Sequence, residues 1–446
     1  MTVIKRLDQI DNPDGNIQRF LTVSGFGWND IAFTQAPFRS DFIKSLAQLY
    51  RVAIIPKNPS EAGHLIFFHV PDTVDTASMP RTIGGVTYYD ATANLAAWIE
   101  SGDPKSESLL NAVIKAGFCD TADGSGAGAR AMPVSNRFGC VSDAAKTQDI
   151  ACNAHFFLMD TFDALSPYDL FGTPYGMTVQ KGKMILPPLH HRPALVVDTD
   201  GKTRIAHPEL TEVSVTIDGK NYVHGKNCLF FERPDTEITP PCSGSALLVA
   251  DGRVIASKKG GAVRVPMGGF AVQTEKPVAV SDPHCSFQSD TPYAFALQVG
   301  PAMTENGKPA VDFSGCPFCE FGKMTAFPPT VYPLSWDSGR AGRIVLGADK
   351  DDLPVLIWAE AASIHGHVKG KESPGCSLKE TAAYCARIGL QNSVNLDGGG
   401  SSQLLVNGER FLHLKDRTAD NREAERPVIG IGLRELFTKK FACHSL

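Results

Sequence analysis

Three tight-turn dipeptides, each set between apolar runs, constrain the fold more than any other feature of the sequence. Asp200-Gly201 lies in ALVVDTDGKTRIAH, Asn306-Gly307 in FALQVGPAMTENGKPAVDF and Asn407-Gly408 in SQLLVNGERFLHL. Asn, Asp and Gly tolerate the positive φ of a two-residue hairpin loop, so each dipeptide marks a β-hairpin. With 41 Gly and 30 Pro among 446 residues, turns are frequent and long helices few. From about Ala151 onward the chain reads as a succession of strand pairs.

The first 145 residues have a different texture. SDFIKSLAQLYRVAIIP, from Ser40 to Pro56, predicts a capped helix running into a strand, and ATANLAAWIE and ESLLNAVIKAGF predict two further helices. DTADGSGAGARAMP, Asp120 to Pro133, is rich in Gly, Ala and Ser and reads as a linker or a loop over a site. The expected organisation is an α/β region over 1–145, a β-rich, mixed-sheet domain over 146–437 and a tail over 438–446, in the α+β class.

Charge and hydropathy exclude several functions. A net charge of -5 with only isolated basic pairs argues against nucleic-acid binding. No stretch reaches the ~18 apolar residues of a membrane span. The start MTVIKRLDQIDNPDGN lacks the apolar core of a signal peptide, so the expectation is a soluble, cytoplasmic protein unless a leader is removed. Eleven cysteines leave the redox compartment open, and Cys316 and Cys319 in CPFC lack the second pair that a structural zinc site needs. A disulfide or two thiols fit those two equally well. Oligomeric state is not legible.

One helix in the C-terminal part can be read residue by residue. In CSLKETAAYCARIGL, Ser377 is the N-cap and Glu380 stands three residues on, forming a capping box, while Gly389 closes the other end. The LQNSVNL that follows is a strand, and Asp397 stands where it ends, in front of Gly398, Gly399 and Gly400. Three glycines exceed the need of a turn and let backbone N–H groups approach a ligand. Asp397 fits a nucleophile, a general base or a cation ligand, and equally an Asx-type turn. The loop has no Lys, so it is not a nucleotide-binding P-loop.

NLDGGGSSQLLVNG, followed at a distance by ERPV, resembles the signature of the phosphodiester glycosidase family. NAHFF, YGMTVQKGKMI, QVGPAMTENGK, GRIVLGADKDDLPVLIWA and GCSLKETAAY agree in the same order, over about residues 150–435. The resemblance implies hydrolysis of a sugar joined through its anomeric carbon to a phosphodiester, with a sugar phosphate or glycan as substrate. It implies catalytic use of Asp397, with Arg343 as a fork for phosphate. Surface ion pairing is the ordinary alternative for Arg343, and also for Arg426 in ERPV, which with Arg422 competes for the same role.

Asn153 stands at the family's Asn and would either bond a sugar hydroxyl or hold Asp397. Ala154 and His155 replace the two glycines that follow it in the family, and His155 puts a titratable ring where the family keeps backbone space, either as an added catalytic acid or base or as a change of substrate shape. Glu380 matches a family Glu and is a candidate catalytic residue by that resemblance, although its cap role is a sufficient explanation. Gly300, Asn395, Gly398, Gly399, Gly400, Ser401, Ser402 and His365 complete the expected substrate pocket. His365 and His367 sit two apart and would share a face if extended, but no partner segment supports a metal site. The sequence requires no cofactor and leaves a divalent cation open. Two competing expectations are a glycosidase acting on a glycan without phosphate, and a non-catalytic carbohydrate-binding or assembly protein.

Overall fold

In the computed structural model the described residues are 3–11, 15–33, 149–158, 172–174, 176–233, 235–311, 339–362, 368–412 and 428–433, with residue 141 and short segments at 52–56, 65–69, 81–83, 86–88, 131–134, 138–139, 319–320 and 323–324. They are strand-rich, and the strands fall into several sheets. The largest is seven-stranded, in the order Val3–Asp11, Ile17–Ser24, Pro354–Ala359, Arg343–Ala348, Asn392–Asn395, Ala302–Glu305 and Lys308–Pro309.

Its central strands, RIVLGA and PVLIWA, are buried at every position. That follows from their being apolar on both faces, so each face needs a cover. On one face lies the helix Leu378–Arg387, which buries Leu378, Thr381, Ala382, Tyr384 and Cys385. Tyr384 stacks on Phe20 with ring centroids 3.8 Å apart. On the other face Ile344, Leu346, Leu356, Trp358, Val394 and Leu396 join the main core with residues of the five-stranded sheet around Tyr293–Gln298 and Ala194–Asp198. A six-stranded sheet adds Ile150–Asn153 between Val428–Leu433 and Leu404–Val406.

Each predicted hairpin forms. Ala194–Asp198 pairs with Thr203–Ala206, Ala302–Glu305 with Lys308–Pro309, and Leu404–Val406 with Glu409–Leu412. Asn306 and Gly307 take φ of 51° and 76°, and Asn407 and Gly408 take 52° and 79°, as the mirror-image turn requires. The helix has the predicted Ser377 cap, and Gly389, at φ 90°, follows its end.

One expectation changes. Every ladder between described strands is antiparallel, where mixed sheets were expected. Two-residue turns join strands only in that sense. The helical crossover after Ala359 returns the chain beside Arg343–Ala348, so it too completes an antiparallel ladder. In the N-terminal part the described residues are mostly strand, with one 3-10 turn, and they do not test the expected α/β character. Ile17–Ser24 pairs with Pro354–Ala359, and Ile31–Phe33 pairs with Val428–Leu433. Val52–Pro56 is a strand, as read from RVAIIP. The three expected helices, the Gly-rich stretch up to residue 130, and Cys316 of the CPFC pair lie outside the described residues.

Candidate functional site

The strand Asn392–Asn395 ends in a segment held by main-chain bonds from both sides. Asn395 N–H donates to the Pro301 carbonyl at 2.9 Å, Leu396 N–H to Ile344 at 2.8 Å and Asp397 N–H to Ala154 at 2.8 Å. Val345 pairs with Asn395. That register, carried on through the Leu396–Ile344 bond, sets Arg343 opposite Asp397. An acidic and a basic residue therefore occupy opposite backbone positions at the end of the sheet. Asp397 is 4% exposed and Arg343 5%.

Asn153 clamps the loop at both ends. Its Nδ2 donates to the Asp397 carbonyl at 2.5 Å and its Oδ1 accepts from Gln403 N–H at 3.0 Å. A side-chain amide holds a donor NH2 group and an acceptor oxygen in a fixed fork, which is why Asn suits this place. The glycines meet a steric demand: a Cβ on Gly398 would lie 2.6 Å from the Gly342 carbonyl oxygen. Gly399, at φ 55°, donates to that carbonyl at 2.7 Å, while Ser401 and Ser402 N–H groups bond back to Gly398 and Gly399. Gly398 and Gly400 supply the remaining glycine amides of the loop.

Arg343 is anchored by backbone. Its Nε donates to the Cys376 carbonyl at 3.0 Å and its Nη2 to Gly339 at 2.6 Å. Nearby, Glu380 caps the helix. Its Oε2 accepts from the Ser377 N–H at 2.9 Å and hydroxyl at 3.0 Å, and its Oε1 accepts from Arg340 Nη2 at 2.7 Å. Burial pushes the Glu380 carboxyl up, but the bonds from Ser377 and Arg340 outweigh it and hold the group below its ordinary value.

The other expected site residues are distributed around this end. His155 is buried, with Nε2 2.7 Å from Thr178 Oγ1 and its ring 5.6 Å from that of Phe33. Gly300, at φ 69°, is pressed on Pro193, whose Cγ would be 2.7 Å from an added Cβ. Asn395 Oδ1 and Ser402 Oγ are buried and have no hydrogen-bond partner among the described residues. Such atoms call for a water or a ligand. His365, Arg422 and Arg426 lie outside the described residues. Among the described residues no group of three or more His, Cys, Asp or Glu is placed to hold a metal ion.

A second polar cluster was not anticipated. His190, Arg192, Glu232 and Arg233 are all buried. Glu232 Oε2 accepts the His190 N–H at 3.2 Å, and His190 Nδ1 lies 3.0 Å from the Arg233 carbonyl. Burial raises the Glu232 carboxyl to about 8 and lowers His190 to about 3. The sequence signal was present in LHHRPA and FFERPD, where charged residues interrupt apolar runs.

Residues 230–431 match the family model described as phosphodiester glycosidase. No curated protein matches. Three solved structures align at low identity. A Synechocystis protein is 15% identical with a TM-score of 0.42, and the alignment covers 96% of this chain; the chain spans only 63% of that protein. A Burkholderia pseudomallei K96243 protein is 15% identical with a TM-score of 0.39, over 98% of this chain and 96% of that one. The catalytic domain of zebrafish N-acetylglucosamine-1-phosphodiester alpha-N-acetylglucosaminidase, auto-inhibited by its pro-peptide, is 13% identical with a TM-score of 0.36, over 98% and 83%. The matched segment, less than half of the chain, contains the Arg343 strand, the capped helix and the Asp397 loop, and over it the chain is similar to the phosphodiester glycosidase family.

Proposed function

We propose that the protein hydrolyses the glycosidic bond of a sugar-1-phosphodiester, releasing the free sugar and a phosphomonoester. The observation that supports this reading is the backbone register that brings Asp397 and Arg343, both buried, to opposite positions at the end of one sheet within the family-matched segment. Asp397 acts on the anomeric carbon or on the water that attacks it. Arg343 and the Gly398 and Gly400 amides take the phosphate. Asn153 keeps the loop in place, and Gly300, Asn395 and Ser402 shape the sugar side. The leaving group is a phosphomonoester, whose second pKa of about 6 lets it depart as a stable anion with little protonation. One well-placed carboxylate then suffices, where an ordinary glycoside needs a strong general acid as well.

Incubation with a sugar-1-phosphodiester and with a neutral aryl glycoside tests the substrate class. Turnover of the first alone, inhibited by inorganic phosphate and abolished by Asp397→Asn, is the expected outcome. One observation favours a second reading: Arg343 already gives two of its donors to the Cys376 and Gly339 carbonyls, which leaves fewer for a phosphate. A glycosidase acting on a glycan without phosphate would instead turn over the aryl glycoside and ignore added phosphate.

A further inference from the structure

Arg192 is 1% exposed and among the largest fully buried side chains of the described protein. It lies far in sequence from Asp397, yet its side chain touches both segments that bond one edge of the Asp397 strand end. Its Nε donates to the Val299 carbonyl, and its guanidinium carbon lies 5.1 Å from the centre of the Phe156 ring. Phe156 belongs to the stretch whose Asn153 amide and Ala154 carbonyl bind Asp397. Val299 is two residues from Pro301, whose carbonyl receives the Asn395 N–H. Both arms grip the same edge of the strand end, and Arg192 ties them together from behind.

The turn that delivers Arg192 is built for the purpose. His190 and His191 are consecutive non-glycine residues at φ 66° and 49°. Such a conformation persists only where surrounding bonds fix it. Here they do so. The Gln298 side chain receives Leu189 N–H at 2.9 Å and Met177 N–H at 2.8 Å on Oε1, and its Nε2 donates to the Arg192 carbonyl at 2.8 Å. Glu232 and the Arg233 carbonyl take the His190 side. Pro193, the next residue, presses on Gly300. A buried arginine is costly unless its donors are satisfied, so a packing role alone would be served by an apolar residue.

We infer that Arg192 is a positioning residue for the Asp397 loop: it sets the spacing between the Ala154 and Pro301 arms and so fixes the direction of the Asp397 carboxylate. It does not touch the reacting atoms. The inference rests on the proposed role of Asp397 only in its kinetic consequence, and the structural consequence can be read separately.

The experiment is hydrogen exchange followed by mass spectrometry on the full chain, for the parent, Arg192→Met and Arg192→Lys. Peptides covering 393–404 should exchange at least about tenfold faster in both variants, with the helix 378–387 unchanged, because a local opening was held by the tie. A sugar-1-phosphodiester assay should then show a lower kcat with KM nearly kept, and free guanidinium ion should restore part of it in Arg192→Met. Unchanged exchange at 393–404 overturns the inference. So does a uniform rise across all peptides, or failure of both variants to fold, since either means that Arg192 serves the core as a whole. If the parent turns over no sugar-1-phosphodiester, the proposed function falls, while the exchange result still decides the role of Arg192.

Discussion

Two carboxylates stand at the same end of the seven-stranded sheet, and they are held in opposite ways. Glu380 is fixed by its side chain: Ser377 and Arg340 together engage both oxygens, and the helix start depends on them. Asp397 is fixed by its main chain: Ala154 takes its N–H and Asn153 takes its carbonyl, so the backbone stays in place whatever the carboxylate does. A side chain that maintains a cap is an element of stability. One whose main chain is held by its neighbours can be substituted without breaking that hold.

The sharpest way to break that contrast is Asp397→Asn. It should cut turnover by about a thousandfold or more, with the melting temperature little changed, if the carboxylate acts at the reacting centre. Comparable losses of stability and activity would make Asp397 a second Glu380.

A third carboxyl extends the comparison. Glu232 is buried with a raised pKa, about 8 against an ordinary 4.5, and its neighbour His190 is lowered to about 3 from 6.5. For Glu232 the unfolded chain ionises first, so this group weakens the fold as pH rises from 4.5 to 8. For His190 the unfolded chain binds the proton first, so the fold weakens as pH falls from 6.5 to 3. Between 4.5 and 6.5 the two slopes oppose each other. Glu232→Gln should therefore gain stability relative to the parent between pH 5 and pH 8, on the order of 3 kcal/mol, in urea unfolding at the two pH values. No pH-dependent difference between the two proteins would place the ionised carboxylate in the native core.

Asn153→Ala leaves the Asp397 carbonyl and the Gln403 N–H without their partner, and should lower stability by about 2 kcal/mol as well as activity. The smallest effect is expected for Glu380→Gln. It weakens the cap and the Arg340 pair by about 1 kcal/mol at pH 7, with kcat near the parent's. The Glu380 carboxylate stabilises the fold above its ordinary value of 4.5 and ceases to do so as pH falls through its lower folded value, so the two proteins should converge in acid. Large loss of kcat without loss of stability would move Glu380 into the catalytic set.

What could be read from sequence was local. Asn306-Gly307 and Asn407-Gly408 specify their turns by backbone chemistry, and Ser377 with Glu380 specifies a cap within four residues. The Asp397 strand end followed from the same helix and strand. Long-range pairing was not legible: nothing in IQRFLTVS says that it borders PVLIWA more than 330 residues later. The second partner of Glu380, the backbone anchoring of Arg343 and the burial of Arg192 are equally non-local. An arginine reads as a surface residue until the fold shows which carbonyls surround it. Asp218-Gly219 and Asp251-Gly252 were within reach, since each sits at positive φ between paired strands and has the same chemistry as Asp200-Gly201, whereas Lys181-Gly182 makes its turn without that signal.

Hydrolysis of a sugar-1-phosphodiester in oxygen-18 water tests the central claim most directly. Attack at the anomeric carbon puts the label in the sugar, so the released phosphomonoester, read by mass spectrometry, should carry only the isotope of the substrate. A phosphomonoester that gains one oxygen-18 would mean cleavage at phosphorus, and the glycosidase reading of Asp397 and Arg343 would be wrong.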